Sequence, residues 1–111
     1  DTDVSYYGGA LGIQGLAFQF PANLAPFPGA VKTVRTWATY NSASGPVTEA
    51  APSMDLVQEV VGLDTVVTRY TNCPPGGAVE LWTINGGGHI PTLSSQFSPR
   101  VIDWLLAHPK P

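Results

Sequence analysis

The stretch LWTINGGGHIPTL, residues 81–93, sets three consecutive glycines between an apolar run and a histidine. Glycine weakens a strand interior and is used where the backbone takes positive φ or approaches another closely. Just upstream, residues 78–85 carry Val79, Leu81, Trp82 and Ile84 and leave little polar face. That pattern predicts a strand covered on both sides, as in a parallel sheet. In open α/β sheets the ligand crevice lies beyond the carboxyl ends of the strands. A glycine turn there delivers His89 to the place where that class does its chemistry.

Working outward, TVVTRYTN (65–72) reads as a second strand, rich in Val, Thr and Tyr. The CPPGG turn (73–77) joins the two as an antiparallel hairpin, with 65–72 the outermost strand. In FSPRVIDWLLAHP (97–109), Ser98 is suited to N-cap a final helix and Pro99 to its first position. Phe97 and Ile102 then take the places of a hydrophobic staple, and Pro109 stops the helix near His108. AVKTVRTWATYN (30–41) puts Val31, Val34, Trp37 and Ala38 at helical spacing. Trp37, Trp82 and Trp104 read as packing contacts between helices and sheet. Residues 42–52 have loop composition, and 53–62 fit a helix turn or a strand equally. Residues 1–15 alternate weakly before dissolving into glycine. Three prolines in 16–29 predict an ordered loop without a regular element.

The chain has 111 residues, enough for one small domain. Its hydrophobic share is 43% and its charged share 12%, half the usual ~25%, which argues against disorder. A net charge of −3 with five Lys and Arg argues against nucleic acid or an anionic membrane as partner. No apolar run reaches the ~18 residues of a transmembrane helix. The chain opens on Asp1, not Met, which leads us to expect a processed chain or a piece of a longer one. Cys73 is alone, so no internal disulfide or cysteine metal cluster forms. With two histidines differently placed, no metal is expected.

Three stretches together resemble the secreted serine esterases of the α/β-hydrolase fold, in the group of poly(3-hydroxybutyrate) depolymerases, feruloyl esterases and acetylxylan esterases. VELWTINGGGH (79–89) and the helix after it resemble that group's last core strand, catalytic-histidine loop and final helix. DTDVSYYGG (1–9) resembles its acid segment, Asp-x-x-Val-x-Tyr-x-Gly-Gly, and TWATYN (36–41) the helix between acid and histidine. The implied fold class is α/β, the C-terminal part of an α/β-hydrolase domain over 1–111, with the last core strand, an extra antiparallel edge strand and the final helix. The implied site is His89 as catalytic base and Asp1 as triad acid, with Asp3 the competing carboxylate.

Triad residues in this fold run Ser, Asp or Glu, then His. Asp1 precedes His89, but no Gly-x-Ser-x-Gly occurs; Ser42 and Ser44, in NSASG, lack the first glycine and the strand-turn-helix setting. The resemblance thus implies an extracellular carboxylic ester hydrolase in which this chain supplies acid and histidine. Its partners are then the N-terminal half of the same hydrolase, which carries the serine and oxyanion hole, and an ester substrate. The chain departs from the group at Ala43, where a cysteine pairing with the equivalent of Cys73 is common. It also has Ile90 and then Pro91 where an aromatic often precedes the proline. Against the catalytic reading stand blander ones: His89 a surface-loop histidine, Asp1 a terminal carboxylate, Tyr6 a packing residue or a substrate contact. On those readings the chain is a stand-alone small binding domain without chemistry.

Overall fold

The computed structural model describes residues 4–9 and 26–109. In chain order these form β1 (Gly8–Gly9), β2 (Phe27–Pro28), α1 (Ala30–Tyr40), β3 (Pro46–Thr48), β4 (Thr65–Tyr70), β5 (Glu80–Ile84) and α2 (Phe97–Ala107). The arrangement is mixed α/β, with one two-stranded and one three-stranded sheet. The expected hairpin forms: β4 and β5 pair antiparallel, with Thr65 opposite Ile84, Val67 opposite Trp82 and Arg69 opposite Glu80.

The hairpin's first strand is not outermost. β3 pairs antiparallel with its other edge, giving the order β3-β4-β5. The segment expected as loop over 42–52 therefore contributes a strand. Val47 and Thr48 are β-branched, and the Thr48 and Thr68 hydroxyls lie 2.9 Å apart across the pair. Pro46 opens this edge strand, where a missing N–H is tolerated. β5 is also not covered on both sides among the described residues: all five of its residues are half-buried.

Residues 53–62, open between helix and strand, form neither. The segment is held irregularly, with isolated bridges from Met54 to Thr65 and from Val57 to Leu93. Leu56 and Val57 are fully buried there. Irregular backbone survives burial only when its polar groups find partners, and here Asp64 provides them. Its carboxylate accepts the Leu56 N–H at 3.1 and 3.0 Å and the Val57 N–H at 3.0 Å, and the Thr65 hydroxyl donates to it as well. Met54, Leu56 and Val67 make the core cluster, with Trp82, Ile84 and Phe97 packed against it.

α2 begins two residues earlier than expected, and Ser98 is not its cap. Gln96 holds the N-cap position, Phe97 opens the helix, and Pro99 takes the third position, where no intrahelical N–H bond is due. The turn into the helix is built instead by Ser94. Its hydroxyl donates to the Asp55 carbonyl at 2.7 Å and accepts the Gln96 N–H at 3.1 Å. Phe97 is thereby drawn onto the core, while Ile102, its expected staple partner, is exposed. His108 caps the far end, its Nδ1 2.7 Å from the Trp104 carbonyl.

The helices bury less than their patterns imply. Of the α1 face Val31, Val34, Trp37 and Ala38, only Ala38 is buried, and Trp37 is 59% exposed. No residue of α2 is fully buried, and Leu105 and Leu106 face outward. Trp82 meets the expectation of core packing and Trp104 is half-buried, but Trp37 does not pack as expected.

Candidate functional site

β5 runs out at Ile84, and the glycine turn follows at once. The Asn85 N–H donates to the Asp64 carbonyl at 2.9 Å, fixing the start of the turn. Gly86 has φ +83°, a conformation that L side chains rarely adopt. A Cβ on Gly87 would stand 2.9 Å from the Ile84 Cγ2, so the turn folds back tightly on its own strand. A side chain on Gly88 would meet open space, and nothing in the described structure requires glycine there. Two of the three glycines thus bend the chain sharply, and His89 follows on an exposed arc with Ile90.

The N-terminal segment lies alongside. The Tyr6 hydroxyl is 3.1 Å from the Thr83 hydroxyl, a hydrogen bond spanning 77 residues of sequence. The Tyr6 carbonyl accepts the Ala30 N–H at 2.8 Å. Gly8 and Gly29 allow this approach, because a Cβ on either would fall within 2.6 Å of the opposing backbone. Between the segment and the turn opens a cleft of about 470 Å³, lined by Val4, Tyr6, Thr83, Asn85, Gly88 and Pro91 among others. His89 lies in the chain between two residues of that lining.

Asp1 and Asp3 lie outside the described residues. Of residues 4–9, which carry the Val, Tyr and Gly-Gly of the expected acid segment, Tyr6 bonds Thr83 near the end of β5, Val4 and Tyr6 line the cleft beside the histidine turn, and Gly8–Gly9 pair with β2. Cys73 is a half-buried free thiol whose Sγ donates to the Tyr70 carbonyl at 3.7 Å. Ala43 and Cys73 flank adjoining backbone: the Ser44 N–H donates to the Thr71 carbonyl at 2.6 Å, and the Asn72 side chain to the Ser44 hydroxyl at 3.0 Å.

Sequence reasoning missed the carboxylates that hold this region. Asp64 is 1% exposed. Burial pushes its carboxyl up, but hydrogen bonds from Thr65, Val57 and Leu56 together hold it below the usual carboxylate range. Glu59 accepts the Thr92 N–H, which lowers its pKa as well. Glu49 is lowered by hydrogen bonds from Ser53 and Arg69, and Arg69 also bonds Glu80 at 2.8 Å. A signal for Asp64 existed, a single acid between Gly62-Leu63 and a β-branched run, but nothing in it marked burial. Glu59 gave no signal, because its partner lies 33 residues on.

Among the described residues, no group of three His, Cys, Asp or Glu is placed to hold a metal ion. No described helix is long and apolar enough to cross a membrane. In comparisons with protein-family models, curated proteins and solved structures, nothing matches the chain.

Proposed function

We propose that this chain is the acid–histidine portion of an extracellular serine carboxylic-ester hydrolase of the α/β-hydrolase type, acting on polymer- or polysaccharide-linked esters. The observation that carries the reading is the Tyr6–Thr83 hydrogen bond, which holds Tyr6 beside the end of β5 from which the turn carrying His89 leaves. A second support is the adjoining backbone at Ala43 and Cys73, the positions that a cystine joins in many of the esterases the chain resembles.

In this reading His89 takes the proton of a serine on the N-terminal half and returns it to the leaving alcohol. Asp1 holds the imidazole in the required tautomer and stabilises the imidazolium, with Asp3 the alternate acid. The oxyanion hole comes from the same N-terminal half, and neither metal nor organic cofactor takes part.

The test is hydrolysis of p-nitrophenyl acetate. The chain alone should show no turnover above background. Paired with the polypeptide encoded immediately upstream, which should contain Gly-x-Ser-x-Gly, it should hydrolyse the ester and lose that activity with His89→Ala. Turnover by the pure chain that a serine-directed inhibitor blocks, or an upstream frame without the motif, sinks the proposal.

A further inference from the structure

Tyr7 is 89% exposed, yet it is held at several points. Its N–H donates to the Ser5 hydroxyl at 3.2 Å, and the Gly8 N–H to the Ser5 carbonyl at 3.0 Å. Its carbonyl oxygen comes so close to Gly29 that a Cβ there would stand 2.6 Å away. Its ring meets that of Tyr6 edge to face, with centroids 5.4 Å apart and planes at 85°. Tyr6 is pinned in turn by Thr83. A single exposed aromatic is ordinary, but one fixed in this way is a platform prepared for stacking.

Tyr6 and Tyr7 line two cavities at once. One is the cleft beside the histidine turn. The other, of about 270 Å³, lies between the tyrosine pair and α1 and adds Lys32 and Arg35. These two cations stand three residues apart on α1, where like charges repel. α1 contains no acid. Among the described residues the ion pairs are those of Arg69 with Glu49 and Glu80, so neither Lys32 nor Arg35 has a carboxylate partner. No described acid lines either cavity. In a chain of net charge −3, two unmatched cations at one cavity make a local positive field that draws an anion.

Two chemistries therefore meet in this cavity. The cations call for an anionic group, and the planar fork of arginine matches a carboxylate. The tyrosine ring calls for a flat, apolar face. A sugar ring offers such a face in its C–H groups, and a uronic acid carries the carboxylate as well. We propose that the cavity between Tyr7 and α1 binds a carboxylate-bearing sugar, so that the ester served by the neighbouring cleft sits on an acidic polysaccharide. The part that concerns the ester rests on the esterase reading; the binding of the sugar does not.

The test titrates trigalacturonate, xylotriose and inorganic phosphate into the full chain or, where solubility requires it, the chain paired with the upstream polypeptide. Affinity is read by calorimetry and location by amide resonances. Trigalacturonate should bind at least about tenfold more tightly than xylotriose, shift residues 6–8 and 31–35, and weaken as salt is raised. Lys32→Ala with Arg35→Ala should weaken it about three- to tenfold, the range of two exposed ion pairs, and leave xylotriose unchanged. Tyr7→Ala should weaken both sugars, and the β4 and β5 resonances should stay in place in every variant. Xylotriose binding as tightly as trigalacturonate, or no trigalacturonate binding at millimolar concentration, overturns the proposal. That comparison needs no variant, so it decides even where a substitution fails to fold. Unchanged affinity in the double variant or in Tyr7→Ala overturns it too, as does phosphate binding as tightly as trigalacturonate, which would mean an anion site without a sugar. None of these readouts involves hydrolysis. Paired chains that cleave no ester sink the esterase reading and leave the sugar binding standing, whereas paired chains that cleave p-nitrophenyl acetate but ignore trigalacturonate sink only this proposal.

Discussion

Asp64 is a carboxylate in the interior, held below its usual range by donors that water would otherwise have to replace. Because its folded pKa is lowered, the unfolded chain binds more protons in acid. Its contribution to stability is complete above the unfolded carboxylate value of about 3.9 and is lost as pH falls through the lower folded value. Asp64→Asn offers one acceptor and turns an N–H₂ group toward the Leu56 and Val57 amides, leaving a buried donor unpaired. It should cost about 2 kcal/mol in urea unfolding at pH 7, and part of the loss of stability below pH 4 should disappear with it. His89 stands at the opposite extreme. It is exposed on its turn, so His89→Ala should change stability by less than about 0.5 kcal/mol. The same substitution should abolish hydrolysis by the paired chains.

At the scale of the element, α2 shows how a cap is decided by its surroundings. Ser98 and Pro99 form a strong local start signal, yet the helix starts earlier because Ser94, already bonded to Asp55, turns the chain there. Ser94→Ala should therefore destabilise the fold by about 1 kcal/mol, while Ser98→Ala should be close to neutral. Parallel thermal melts of the two variants check this, and equal effects would return the cap to Ser98. The β4–β5 hairpin was legible in the sequence because β-branched runs around a Pro-Gly turn are a local signal. β3 was not, since three residues after a Ser-Gly-Pro loop become a strand only when β4 presents an edge to pair with.

Across the whole molecule, the sparse core stands against the large apolar surface left outside. Among the described residues six hydrophobic ones are buried, whereas Trp37, Tyr40, Ile102, Leu105 and Leu106 on the two helices are exposed. Among the described residues β5 has a strand neighbour on one edge only, and an unpaired edge is a template for association. The isolated chain should accordingly be marginally stable or poorly soluble, and pairing with the upstream half should rescue it. A cooperative near-UV circular dichroism melt from a monomer on size exclusion would instead favour a stand-alone binding domain. The adjoining backbone at Ala43 and Cys73 supplies a further check. Ala43→Cys should form a disulfide with Cys73, seen as loss of the free thiol in intact mass. Closing a loop of that length should add about 3–4 kcal/mol.

The sequence by itself determined what depends on neighbours along the chain. It set the hairpin and its polarity, the two helices to within two residues at their ends, and the glycine turn that bends β5 toward His89. Tertiary structure decided what depends on distant partners. It made 53–62 an irregular buried segment, because Asp64 was there to satisfy its amides. It placed β4 in the middle of its sheet, because 46–48 found the free edge. It also brought Tyr6 to Thr83 and Glu59 to Thr92. Each of those bonds joins residues far apart in the sequence, and no local pattern records which distant donor or acceptor a side chain will meet.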